Sequence, residues 1–71
     1  MLAIEELKKL KKNGRYCISL RRASKILGMH PSTLKNHILK DRIRAKILEI
    51  DGKTRYLIDV ESLIEFLEKG F

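Results

Sequence analysis

Disulfide bonds are the first feature that the sequence lacks. Cys17 is the only cysteine among the 71 residues, so no intramolecular disulfide can form. A lone cysteine is typical of a protein from a reducing, intracellular compartment. Because a free cysteine usually behaves as a small apolar side chain, we expect Cys17 to be buried.

Long hydrophobic runs are also lacking. No segment approaches the roughly 18 consecutive apolar residues that a membrane-spanning helix needs. The sequence begins MLAIEELKKL, which is charged and fits a helix, whereas a secretory signal peptide has an apolar segment there. We therefore expect a cytoplasmic protein with no membrane partner.

Residue patterns that support metal binding or catalysis are not evident. His30 and His37 belong to no motif with the ligand spacing of a zinc site. His37 falls beside an apolar helix face, which favours a packed histidine over a metal ligand. No nucleophile with a neighbouring base and no pair of carboxylates suited to a cleft can be recognised. The sequence thus predicts a protein that is not an enzyme and that has no cofactor and no metal.

Aromatic residues are scarce, at 6% of the chain. Sequence-specific RNA-binding modules generally stack bases on aromatic platforms. The available residues are Tyr16, Tyr56, Phe66 and Phe71, and we expect most of them to lie in the core or at the terminus. RNA is therefore a poorer candidate partner than duplex DNA.

Basic residues are what the sequence has in excess. The net charge is +7, and 71 residues suffice for one compact domain but not for two. Residues 1–46 contain 13 Lys and Arg against 3 Asp and Glu, whereas residues 47–71 contain 3 against 6. A surplus concentrated in one part of a small domain predicts a polyanionic partner, and nucleic acid is the first candidate.

Hydrophobic periodicity and turn residues predict the secondary structure. Ser19 and Asp59 are expected to cap the helices that follow them, and Gly28 and Gly70 are expected to end helices. The predicted fold class is α+β. Its segments are an N-terminal helix in residues 1–14, a short strand over 15–18, two helices within 19–40, a hairpin over 46–58 and a C-terminal helix over 60–69.

The two helices within residues 19–40 are separated by a very short turn. Gly28 suits the end of the first helix, and Pro31 is favoured at the first position of the second. Leu34 and Ile38 give the second helix an inward face, and a step of about 100° per residue puts polar side chains on the other face. The outer residues are Ser32, Thr33, Asn36 and Lys40, with Lys35 at the flank and Leu39 near the same side.

These outer side chains have the chemistry of a DNA-reading surface. Asn pairs bidentately with adenine, Lys donates to guanine, and hydroxyl groups reach either bases or phosphates. In the hairpin, Asp51-Gly52 between β-prone runs favours a tight turn with positive φ. Lys53, Thr54 and Arg55 follow that turn. A slim basic hairpin predicts contacts with a DNA backbone or minor groove.

Two stretches, ISLRRASKILGMHPSTLKNHI and DRIRAKILEIDGKTRYLIDVESLIEFL, carry a resemblance to a known family. Residues 16–70, about three quarters of the chain, resemble the excisionase and MerR-type winged helix-turn-helix domain. The predicted organisation is then a single winged helix-turn-helix domain over residues 1–71 that binds double-stranded DNA. The resemblance implies DNA contacts at Ser32, Thr33, Lys35 and Asn36 and a wing that contains Lys53 and Arg55.

Four residues depart from the family pattern. His30 stands where a Ser cap is frequent, Asp41 where Gly is frequent, and Arg21-Arg22 where acidic residues are common. With Lys25, the two arginines are expected to add phosphate contacts at the first helix of the pair. The full set of predicted DNA-binding residues is Arg21, Arg22, Lys25, Ser32, Thr33, Lys35, Asn36, Lys40, Lys53, Thr54 and Arg55.

The resemblance also implies a class of function. Family members include transcription regulators, excisionases that bend DNA for phage-type recombination, and DNA-reading arms of larger recombinases. We expect a small transcription regulator or an excisionase-like architectural factor, encoded by a prokaryotic cell, a virus or a mobile element. Because a monomer reads few base pairs, we also expect a homodimer, a cooperative multimer on DNA or a recombinase partner.

A protein-interaction module is the alternative from another class. The N-terminal helix, Leu39 and Phe71 could form an apolar docking surface. The N-terminal helix is also the candidate contact for self-association.

Overall fold

The computed structural model describes residues 2–69, so the predicted helix end at Gly70 and the docking role of Phe71 lie outside the described residues. The described part is α+β, as predicted, with four helices and three strands. None of these helices, over residues 2–69, combines the length and the apolar character of a membrane-spanning segment. In chain order the elements are α1 (Ala3–Lys12), β1 (Cys17–Ser19), α2 (Leu20–Leu27), α3 (Pro31–Leu39), β2 (Ala45–Ile50), β3 (Lys53–Asp59) and α4 (Val60–Lys69).

The strands form one antiparallel sheet in the order β1, β3, β2. Ile58 of β3 is fully buried and lies opposite Ile18 of β1 on one side and Ala45 of β2 on the other. Since side chains alternate along a strand, these three residues share the inner face of the sheet. β1 pairs only with the last three residues of β3, so the first part of β3 has β2 as its one neighbouring strand in the described chain.

The β2–β3 hairpin extends away from the core. Asp51 and Gly52 connect the strands with φ values of 51° and 75°. Two consecutive positive φ values characterise the type I′ turn, whose twist matches that of the flanking strands, so the predicted tight turn is confirmed. Every residue from 46 to 55 is exposed. The core therefore contacts the hairpin only at its root, where β2 begins and β3 ends.

Local hydrogen bonds set the boundaries of α2 and α3. The Ser19 Oγ accepts the backbone N–H of Arg22 at 3.2 Å, which confirms the predicted cap. α2 ends at Gly28, whose φ of 65° is unstrained because the residue has no Cβ. Pro31 is the first residue of α3, as predicted. Only residues 28–30 separate the two helices.

A hydrophobic cluster packs all four helices of the described chain against the sheet. It contains Leu7 of α1, Ala23 of α2, Leu34 and Ile38 of α3, and Leu63 of α4. Burying one such leucine side chain fully stabilises a fold by roughly 1.5–3 kcal/mol. Since Leu34 and Ile38 must face this cluster, the opposite face of α3 has to point outward.

α1 packs against α4, and both apolar and charged side chains contribute. Leu7 and Leu10 are buried. The Nζ of Lys11 lies 3.2 Å from the Oε1 of Glu61 at the edge of this contact. The apolar face of the predicted N-terminal helix is therefore part of the core.

The first strand differs from its prediction in its bounds and in the placement of Cys17. It spans Cys17–Ser19 and not residues 15–18, and the Arg15 N–H is hydrogen-bonded to the Leu10 carbonyl at the end of α1. Cys17 is exposed, so the expectation of a buried thiol was wrong. The physical reason is the alternation of the strand, in which Ile18 takes the inner face and Cys17 the outer face.

Asp41, a departure from the family pattern, has the backbone conformation that glycine favours. Its φ is 58°, and its N–H donates to the Ile38 carbonyl at 3.1 Å just beyond the end of α3. Asp tolerates this left-handed region better than most residues with a Cβ. The substitution of Asp for Gly is therefore compatible with the local geometry.

Two substitutions of Asp41 should separate backbone strain from charge. Asp41→Gly and Asp41→Ala both remove the carboxylate, but only Ala keeps a Cβ at positive φ. We expect the glycine variant to be more stable than the alanine variant by about 1 kcal/mol, measured by urea unfolding. Equal stability would mean that the chain at residue 41 relaxes out of the left-handed conformation.

Candidate nucleic-acid interface

The outer face of α3 is polar and exposed. Leu34 and Ile38 on the inner face are 0% and 7% exposed. All five polar residues predicted for the outer face and its flank are exposed, which confirms the predicted orientation of the helix. They are Ser32, Thr33, Lys35, Asn36 and Lys40.

His30 caps the N-terminus of α3, where the family pattern often has Ser. Its Nδ1 accepts the backbone N–H of Ser32 at 3.2 Å and lies 2.8 Å from the Ser32 Oγ. A side-chain acceptor at this position satisfies one of the free N–H groups of the first helical turn. The imidazole therefore acts as the helix cap and also contacts the Ser32 side chain.

His37 attaches the C-terminal half of α3 to α4. Its ring centroid lies 4.9 Å from that of Phe66, and the Nη1 of Arg42 is 3.3 Å from the His37 Nδ1. The predicted packing of this histidine against the core is thus confirmed. Burial first, and then the positive charges of Arg42 and Lys40, lower the pKa of His37.

The hairpin lies beside α3, and one contact links the two elements. The Nζ of Lys35 sits over the ring of Tyr56, 5.3 Å from its centroid. A cation over an aromatic face is attracted to it and keeps its N–H groups free for another acceptor. Lys35 therefore points toward the hairpin, at the flank of the outer face of α3.

A depression of about 350 Å³ opens where α2, α3 and β3 meet. Arg21 of α2, Lys35 of α3 and Arg55 of β3 bring three positive charges to its lining, and no carboxylate belongs to that lining. The rest of the lining consists of three residues with hydroxyl groups and two leucines, namely Ser19, Thr54, Tyr56, Leu20 and Leu57. Cations and hydroxyl donors converging on one concave surface suit a phosphate or another oxyanion.

All eleven predicted DNA-binding residues are exposed, and four of them share this depression. The four are Arg21, Lys35, Thr54 and Arg55. The other seven do not line it; six of them lie on the same helices and the same hairpin, and Lys40 directly follows α3. We refer to the eleven residues together as the basic surface.

Ion pairs of the described chain lie outside the basic surface. Lys8 and Lys11 of α1 pair with Glu68 and Glu61 of α4. The Nε of Arg44 is 3.1 Å from the Asp59 Oδ2, and its Nη1 is 3.5 Å from the Glu65 Oε2. Over residues 2–69, no member of the basic surface forms an ion pair. Its positive charges therefore lack carboxylate partners within the described chain.

Tyr56 and Ser19 line the depression, and the sequence did not reveal them as part of it. Ser19 was predicted only as a helix cap, and Tyr56 was assigned to a strand with no functional role. Lys35 and Tyr56 are 21 positions apart, so no local pattern could indicate their contact. Only the packing of the hairpin against α3 brings them together.

No group of three or more potential metal ligands occurs in residues 2–69. No protein-family model, no curated protein and no solved structure matches the chain. The candidate interface is thus defined by geometry and charge.

Removing the His30 cap should destabilise the protein. His30→Ala leaves the Ser32 N–H without its acceptor and should lower the free energy of unfolding by about 1 kcal/mol. His30→Asn supplies an amide oxygen in place of the imidazole nitrogen and should stay close to the wild-type protein. Urea unfolding of wild type and the two variants measures the free energy of unfolding. An equal decrease of this free energy in both variants would argue against a capping role.

Protonation of His37 should also destabilise the fold. The unfolded chain takes up this proton at the ordinary pKa, whereas the folded chain takes it up only at lower pH. The unfolded state therefore binds more protons as the pH falls through the ordinary histidine pKa of 6.5, and the free energy of unfolding should fall over this range. Thermal unfolding should show a smaller decrease over this range for His37→Gln than for wild type. If the variant keeps the pH dependence of the wild-type protein, protonation of His37 is not its cause.

Proposed function

We propose that the protein binds double-stranded DNA sequence-specifically through a winged helix-turn-helix. In this arrangement α3 enters the major groove, and the β2–β3 hairpin is the wing, which lies along the adjacent backbone or minor groove. The observation that carries the proposal is the acid-free depression in which Arg21, Lys35 and Arg55 converge beside the outer face of α3. A row of backbone phosphates is the ligand that such a surface fits best.

The dimensions of α3 and of the hairpin support this docking. The major groove is about 12 Å wide, which matches a helix with its side chains. α3 has nine residues, and its outward side is polar except for Leu39 at the C-terminal end. The exposed part of the hairpin, residues 46–55, extends beyond the core and can reach a neighbouring part of the duplex.

The side chains of the basic surface divide into two roles. Ser32, Thr33 and Asn36 lie on the outermost part of α3 and are the proposed base-reading residues. Lys35 is turned toward the hairpin by Tyr56, so we assign it to a phosphate and not to a base. The remaining proposed backbone contacts come from Arg21, Arg22, Lys25, Lys40, Lys53, Thr54 and Arg55.

A small transcription regulator and an excisionase-like architectural factor both fit this mode of binding. Both roles need a short reading helix and a basic hairpin, and neither needs a catalytic centre. A domain with one reading helix contacts few base pairs, so useful specificity calls for a homodimer, a cooperative multimer on DNA or a recombinase partner.

An apolar docking module is the alternative, and exposed apolar side chains favour it. Leu39 is 64% exposed and Ile47 is 53% exposed. The N-terminal helix offers less for docking, because its Leu7 and Leu10 are buried. Mobility shifts with duplex DNA and with single-stranded RNA separate the possibilities, since a docking module would show no preference for the duplex.

Neutralising Lys35 should weaken DNA binding and its dependence on salt. Lys35→Gln removes one proposed phosphate contact, so the slope of log affinity against log salt should become less steep by about one unit. Lys9→Gln removes the same charge from an exposed position of α1, outside the basic surface, and should leave the slope unchanged. Equal flattening by both variants would indicate an effect of net charge alone.

Base reading and backbone contact should respond differently to substitution. Asn36→Ala should cost about 1–3 kcal/mol on the preferred sequence and should relax the preference at one position. Arg55→Ala should weaken binding to preferred and random sequences alike. Fluorescence anisotropy with one preferred and one random duplex measures the affinity of each variant. If both variants lose the same affinity for both duplexes, the outer face of α3 does not read bases.

A further inference from the structure

Leu39 is an apolar side chain on the face of α3 that is otherwise polar. It is 64% exposed, whereas the other leucine of the helix, Leu34, is fully buried. With a step of about 100° per residue, Leu39 lies about 20° around the helix from Ser32 and about 60° from Asn36. It therefore belongs to the stripe that holds the proposed base-reading residues.

Leu39 also borders a second depression, of about 530 Å³, between the end of α3 and β2. Ile47, which is 53% exposed, lines the same depression. Asp41 and Arg44 line it as well. The exposed apolar groups of Leu39 and Ile47 lie between the two elements that are proposed to contact DNA. Most groups that a DNA duplex exposes are polar and would not favour contact with a leucine side chain. The 5-methyl of thymine is the apolar group that a base pair presents in the major groove.

We propose that Leu39 contacts the 5-methyl group of a thymine and thereby sets part of the sequence preference. The inference rests on the proposed DNA binding and adds a residue that is not among the eleven of the basic surface. Leu39 is three residues beyond Asn36, a rise of about 4.5 Å along the helix, and base pairs are about 3.4 Å apart. The thymine is therefore expected next to the base pair that Asn36 reads.

Deoxyuridine tests this contact because it keeps every hydrogen-bonding group of thymine and lacks only the methyl. The probe is a duplex recovered by the wild-type protein from a random-sequence pool, with its thymines replaced one at a time. We expect about a fourfold loss of affinity at one thymine, from the apolar contact that is removed. Leu39→Ala should bind the thymine and deoxyuridine duplexes equally, and Leu39→Met should keep the discrimination.

Leu39 is exposed, so both variants should unfold at the wild-type temperature, and thermal unfolding verifies this. The inference is overturned if deoxyuridine has no effect at any position, or if Leu39→Ala still discriminates. It is also overturned if Leu39→Ala abolishes self-association in sedimentation while deoxyuridine has no effect, since the side chain would then dock protein. Recovery of no preferred duplex would instead overturn the proposed function itself.

Discussion

The burial of one face of α3 is the constraint on which the rest of the interface depends. Leu34 and Ile38 enter the common hydrophobic cluster, and His37 packs against Phe66 on α4. A rotation of the helix that exposed Leu34 would lose roughly 1.5–3 kcal/mol of burial, a large part of the stability of so small a domain. The polar face is therefore held outward by the same contacts that stabilise the fold.

The distribution of ion pairs then determines where positive charge stays uncompensated on the surface of residues 2–69. The carboxylates of α4 are close to lysines of α1 and to Arg44, so their negative charge is compensated locally. Exposed pairs of this kind contribute little to stability, about 0–1 kcal/mol each. Their larger effect is on the surface potential, because they leave the unpaired cations concentrated on α2, α3 and the hairpin.

The sequence predicted those parts of the structure that follow from local rules. Periodicity identified α4 to the residue, Gly28 and Pro31 marked the turn between α2 and α3, and Asp51-Gly52 marked the hairpin. Features that depend on tertiary contacts were not predicted from the sequence. The side of the sheet on which Cys17 lies is set by pairing with β3, and the position of Tyr56 over Lys35 is set by how the hairpin meets α3. Neither leaves a signature within a short window of sequence.

The hairpin combines firm anchoring at its root with few constraints at its tip. Ala45 packs against the core opposite Ile58, and Lys35 contacts Tyr56, but residues 46–55 are all exposed. Segments with few buried contacts open and shift more easily than the core. β2 is also an edge strand, and Lys46 and Glu49 interrupt its apolar residues, which discourages edge-to-edge pairing with another chain. A tip that is free to adjust fits the proposed contact with a DNA backbone, while the anchored root preserves the position of the hairpin beside the outer face of α3.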